Sequence, residues 1–132
     1  MRPDSTDPLA WLARAKSNLA IAANPTAPEI YLEDLCFEAQ QAAEKALKAL
    51  LIARGVPFPR THAIELLLSL LQTSGLAVPA PVLEAARLTP YGTLGRYPGQ
   101  DDPVSQAEYE EALGLARQVV AWVDQELQAQ GC

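Results

Sequence analysis

The sequence predicts an all-α protein, an up-and-down bundle of four to five helices forming one domain over residues 1–132. Three observations carry that reading. Apolar residues recur three and four apart along three long stretches, 8–23, 28–54 and 105–128. No segment alternates apolar and polar residues with the period of two that a half-buried strand requires. The prolines stand between the periodic stretches or in their first turns, where a missing N–H costs least.

Residues 1–6 are polar and are expected to fray. Asp7 and Pro8 supply an N-cap and a first-turn proline for a first helix over about 8–23. Its apolar face is Trp11, Leu12, Ala15, Leu19, Ala22 and Ala23, with Arg14, Lys16 and Asn18 turned elsewhere. Asn24-Pro25 ends it. So short a connection to the next cap makes the first two helices antiparallel neighbours.

The rest of the chain is organised around residues 26–62. Thr26 and Glu29 are spaced as a capping box, with Pro28 in the first turn. No proline or glycine follows until Gly55, so this helix could hold about 27 residues, roughly 40 Å of length. Its buried stripe is Leu35, Ala39, Ala42, Ala43, Ala46, Leu47, Leu50 and Ala53. Alanine at the middle of a stripe lets neighbouring helices approach closely, which predicts a central helix packed on several sides. Gly55, Pro57 and Pro59 enforce its end.

Thr61 is placed to cap a third helix carrying Leu66, Leu67, Leu68, Leu70 and Leu71, closed by Ser74-Gly75. Pro79 and Pro81 introduce a short fourth helix, about 81–89, with Val82, Leu83, Ala86 and Leu88. Pro90, Gly92, Gly95, Pro98 and Gly99 then predict a loop. Ser105 and Glu108 form a second capping box. The last helix runs to about 128 on a stripe of Tyr109, Ala112, Leu113, Ala116, Val119, Val120, Val123 and Leu127. Trp122 lies off that line, available to a partner.

Hydrophobic residues make up 49% and charged residues 20%, a balance that favours a folded core over disorder. A net charge of −6 and a pI near 4.7 weigh against a general nucleic-acid binder, while leaving room for a local basic patch. Cys36 and Cys132 suggest neither a disulfide framework nor a metal site, and Cys36 reads as a small buried apolar residue. No apolar run approaches the length of about 18 residues that a membrane span needs, and no secretory leader opens the sequence. The expectation is a cytoplasmic protein without a membrane partner.

Several segments, in this order and spacing, resemble the HEPN domain family of small prokaryotic helical-bundle proteins. They are WLARAKSNLAIAA on the first helix, EDLCFEAQQAAEKALKALLIARG on the central one, Pro59-Arg60-Thr61-His62 leading into the leucine-rich helix, and Tyr91 followed by Arg96-Tyr97-Pro98. The resemblance implies a helical bundle, frequently a homodimer, often encoded beside a minimal nucleotidyltransferase in toxin–antitoxin or related modules. Many ribonuclease members of that family carry an Arg, four to six residues, then a His. This sequence departs from the pattern, for His62 is its only histidine. Seven residues separate it from Arg54 and one from Arg60, and no histidine follows Arg87, Arg96 or Arg117. The departure removes the obvious general base for activating a ribose 2′-hydroxyl.

The candidate residues each admit two readings. Glu44 and Lys48 are a favourable helix pair of about 0.2–0.5 kcal/mol. With Gln41 and Lys45 they form either a solvated, internally paired face or a stripe facing a ligand or partner. His62 is either a neutral, structurally bonded residue or part of a cleft with Arg54, Arg60 and Arg96. Residues 45–60 hold Lys45, Lys48, Arg54 and Arg60 and no acid, so an anion such as phosphate could be held there. N–H groups opening the third helix would add to such a site. Arg96 and Tyr97 suit stacking on a base or bonding a phosphate, or else Tyr97 packs on the bundle and Arg96 pairs with Asp101 or Asp102. Glu108, Glu110 and Glu111 suit a solvated first turn better than a divalent metal, whose shell nothing completes.

The leading expectation is a non-catalytic interaction or nucleotide-binding module, without a cofactor. It would be dimeric and act with a nucleotidyltransferase-type partner, its ligand a nucleotide or RNA. The alternative is a ribonuclease using Arg96 and Tyr97 with His62. A scaffold serving assembly alone is the third.

Overall fold

The computed structural model describes residues 6–92 and 103–132, and the description below concerns those residues. It is an all-α bundle of α1 (Pro8–Ala22), α2 (Leu32–Ala53), α3 (Ile64–Thr73), α4 (Ala80–Leu83) and α5 (Gln106–Ala129). A 3₁₀ segment, Glu84–Gly92, continues directly from α4. None of the described residues is in a strand, and no helix among them is long and apolar enough to cross a membrane.

The central position of α2 follows from its alanines. Ala39, Ala42, Ala43, Ala46 and Ala49 are each fully buried, and α1, α3, α5 and the 3₁₀ segment all pack on this helix. Small side chains on its several faces let the neighbouring helices approach closely. Leu47, Leu50 and Leu51 are fully buried in the same core as leucines of α3 and valines of α5.

Chain directions are fixed by a few polar ties. Asn18 of α1 meets both Glu38 and Lys45 of α2 and ties these two neighbours together. The buried Tyr109 hydroxyl donates to the Ala22 carbonyl, and Lys16 pairs with Asp124, which sets α5 antiparallel to α1. Glu33, in the first turn of α2, accepts from the backbone N–H of Val104 just before α5. Cys36 is fully buried among apolar residues, as its sequence context suggested.

Several helix ends match the sequence. Asp7 caps α1 by accepting from Leu9 N–H, and Ser105 with Glu108 forms a complete capping box on α5. Gly55 and Gly75 stop α2 and α3 with φ of 69° and 98°, the left-handed region that glycine enters without strain.

Three expectations are corrected. The central helix begins at Leu32 rather than 28, and the Thr26–Glu29 capping box does not form, because the N-cap is Tyr31 without a side-chain bond. Ile30 lies off the phase of the α2 stripe yet packs on the core, while Tyr31 is 67% exposed. Placing both so requires the chain to turn before it coils, and turn bonds at Thr26 and Ile30 do this. Thr61 is not the N-cap of α3: that position is Ala63, and the hydroxyls of Thr61 and Thr89 accept from Ala63 and Ile64 N–H. The fourth helix tightens after Leu83 into a 3₁₀ run that continues through Pro90, expected in a loop. Ala85, Leu88 and Tyr91 face the core three apart, the period at which a 3₁₀ helix presents one face. Trp122 stands off the buried stripe of α5, as expected, and is partly buried against the core.

Candidate functional site

Residues 54–63 run back along α2 after leaving it. Val56 N–H bonds the Leu51 carbonyl, the Phe58 ring stands over Lys48 at 5.7 Å, and His62 reaches Glu44 and Gln40. Thus α3 starts beside the middle of α2 and ends beside its C-terminus, where Arg54 binds Ser74. Four residues apart, Gln40, Glu44 and Lys48 share one line along the helix. The returning connector and the 3₁₀ segment remove that line from water, leaving Gln40 fully buried, Glu44 4% and Lys48 8% exposed.

Glu44 is the hub. Its Oε2 accepts from Lys48 Nζ at 2.9 Å. Its Oε1 accepts from Gln40 Nε2 at 3.1 Å and pairs with His62 Nδ1 at 2.9 Å. Burial would push the Glu44 carboxyl up, but donation from Lys48, His62 and Gln40, with the Lys48 charge, outweighs it and holds the group below the usual carboxylate range. Lys48 gains further from the Phe58 face, a cation–π contact made in a desolvated place. Gln40 is equally committed: its amide nitrogen also donates to the His62 carbonyl at 3.0 Å, and its oxygen accepts from Gln41 at 2.8 Å.

His62 is therefore held at both its backbone and its ring. Glu44 is ionised and can only accept, so His62 Nδ1 carries the proton. The ring's other nitrogen, Nε2, has no partner among the described residues, and the side chain is 66% exposed. A carboxylate behind Nδ1 and an open Nε2 make an imidazole oriented to accept a hydrogen bond, a proton or an electrophile.

The seven residues singled out in the sequence are distributed unevenly. Lys48 and His62 meet on Glu44. Lys45 turns to α1, donating to Asn18 Oδ1 at 2.9 Å, while Asn18 donates on to Glu38 at 2.7 Å. Arg54 is spent on the end of α3, its Nε on the Ser74 hydroxyl and its Nη2 on the Ser74 carbonyl. Arg60 is exposed two positions before His62. Arg96 and Tyr97 lie outside the described residues. At the start of α3, Ile64 N–H is taken by Thr89, whose hydroxyl donates to Glu65.

Sequence reasoning missed Gln40, and it read Glu44 and Lys48 as a helix pair on either a solvated face or a ligand-facing stripe rather than as a buried pair. The available signal was the i, i+4, i+8 spacing of Gln40, Glu44 and Lys48 opposite a connector whose Val56 and Phe58 are too apolar for a solvent loop. Among the described residues, no three His, Cys, Asp or Glu side chains gather as they would to hold a metal ion.

Comparison with known proteins adds four findings. A family model described as HEPN domain matches residues 9–127. Among solved structures, TT1696 from Thermus thermophilus is 36% identical, with a TM-score of 0.72 over 89% of this chain and 96% of that one. ST0689, described as an archaeal HEPN homologue, is 29% identical, with a TM-score of 0.72 over 91% and 97%. No curated protein matches.

Proposed function

The chain belongs to the HEPN domain family, and from that premise we propose that it is a non-catalytic binding module whose ligand-facing group is His62, seated on the Glu44 hub. The ligand is an anionic nucleotide or a nucleotide-bearing partner. The module works as a homodimer beside a nucleotidyltransferase-type protein, in the manner of a toxin–antitoxin pair.

The observation that supports this is the burial of Gln40, Glu44 and Lys48 on a helix whose other core positions are alanine, leucine and cysteine. Desolvating a carboxylate and an ammonium is costly, and apolar residues of similar volume would pack at least as stably. A chain that keeps such a network under a strongly exposed histidine is organised to present that histidine. A binding role fits better than RNA cleavage because the only histidine has no arginine four to six residues before it. Arg54, the basic residue that closes α2, is already committed to Ser74.

Thermal unfolding in the presence of nucleoside mono-, di- and triphosphates tests the reading. A nucleotide present at 100 times its dissociation constant should stabilise the protein by about 2.7 kcal/mol, and His62→Ala should abolish the gain. Absence of any shift would leave assembly as the role. Cleavage of mixed RNA by the pure protein, lost in Arg96→Ala or His62→Ala, would establish the ribonuclease alternative instead.

A further inference from the structure

We propose that His62 is a covalent acceptor site, at which Nε2 takes a phosphoryl group from an activated donor such as a phosphoramidate, an acyl phosphate or a nucleoside triphosphate. Four features of the site lead there. The tautomer is set, because the Glu44 carboxylate at 2.9 Å requires the proton on Nδ1 and so leaves the lone pair on Nε2. The ring cannot swing away, since Gln40 holds the His62 carbonyl at 3.0 Å and Glu44 holds the ring. The nucleophilic nitrogen is reachable, with the side chain 66% exposed and no described residue bonded to Nε2. Finally, the exposed Arg60 lies two positions before His62, a cation on the same connector that favours the approach of a dianionic donor.

The chemistry balances without an added base. The Nε2 lone pair attacks phosphorus, the bond from phosphorus to the leaving nitrogen or oxygen breaks, and the leaving group departs with that electron pair. Nδ1 keeps its proton throughout. The positive charge that develops on the imidazole lies against Glu44 Oε1, while Lys48 remains on Oε2 and keeps the carboxylate ionised. Glu44 thus acts as a positioning and charge-stabilising residue rather than as a reactant.

The proposal stands apart from nucleotide binding, since a phosphoramidate has neither base nor sugar; either reading can fail alone. The experiment is incubation of the full chain with potassium phosphoramidate, followed by intact mass and ³¹P NMR. Expected is one phosphoryl adduct, on Nε2, formed at least about tenfold faster than on an unstructured peptide of residues 56–68. The adduct should be absent from His62→Asn, and the advantage should shrink to near the peptide's rate in Glu44→Gln. Modification of Nδ1, or a folded-protein rate no greater than the peptide's, would overturn the proposal. So would an unchanged rate in a Glu44→Gln protein that retains its helical circular dichroism. The comparison of wild type with peptide keeps the test decisive even if Glu44→Gln fails to fold.

Discussion

The side chain of Gln40 and the α-carbon of Gly92 are in such close contact that a methyl group on Gly92 would stand 2.9 Å from Gln40 Cδ and Nε2. A free glutamine would move aside. This one is fully buried and bonded to Glu44, to the His62 carbonyl and to Gln41. The glycine is thus required by the hub, not by its own backbone, and the end of the 3₁₀ segment is registered against the centre of α2.

Gly92→Ala is therefore expected to destabilise the protein by about 1–3 kcal/mol in urea unfolding, the range for forcing an extra methyl into a packed site. In Gln40→Ala the added methyl has room, so the double variant should cost less than the sum of the two singles. Strict additivity would show that the contact is not the cause.

The two lysine ion pairs should differ sharply. The side chains of Lys48 and Glu44 are 10% and 5% exposed, whereas those of Lys16 and Asp124 are 52% and 31% exposed, at the same 2.9 Å separation. Lys48→Met leaves a buried carboxylate short of its cation and should cost about 3–5 kcal/mol. Lys16→Met should cost less than about 1 kcal/mol, and less again in high salt. Equal costs would contradict the burial of the hub.

Acid should find the hub first. Folded Glu44 sits below its ordinary value of 4.5, so it stabilises the fold fully above that value, and the contribution is lost as pH falls through the folded one. Urea midpoints followed from pH 7 downward should decline below about 4.5 in the wild type. The decline should be shallower in Glu44→Gln, Asp124 adding a smaller share because Lys16 depresses it at a more exposed place.

Tyr109→Phe removes the 2.6 Å bond to the Ala22 carbonyl and leaves a buried acceptor unmet. A loss of about 1–3 kcal/mol is expected. Burial raises the Tyr109 phenol above its ordinary 10.0, so the folded state resists its ionisation. Stability from this group should then fall as pH climbs past 10.0, and the phenylalanine variant should lack that alkaline component.

Much of this architecture could be read in the sequence, because apolar spacing and caps act locally. Asp7, Ser105 with Glu108, Gly55 and Gly75 all end helices where their chemistry indicates. The errors arose where tertiary packing overrides a local signal. Thr26 and Glu29 have capping-box chemistry, yet burying Ile30 delays the helix by four residues. Glu44 and Lys48 are spaced as a surface pair, and only the return of residues 54–63 along α2 encloses them. The apolar Val56 and Phe58 signal a covered connector, but its path depends on Phe58 and His62 finding partners 10 and 18 residues earlier in the chain. Of the candidate residues, Lys48 and His62 converge, while the polar partner that joins them to the backbone, Gln40, carries no charge to draw attention in a sequence.

Glu44 fixing the His62 ring is the central relationship of the site, and long-range ¹H–¹⁵N correlation NMR of the imidazole tests it without intermediaries. Because the chain has a single histidine, the spectrum is unambiguous. In the neutral ring Nδ1 should be pyrrole-like and protonated and Nε2 pyridine-like, a pattern that Glu44→Ala replaces with rapid tautomer exchange. A proton residing on Nε2, or the same spectrum with and without Glu44, would contradict it.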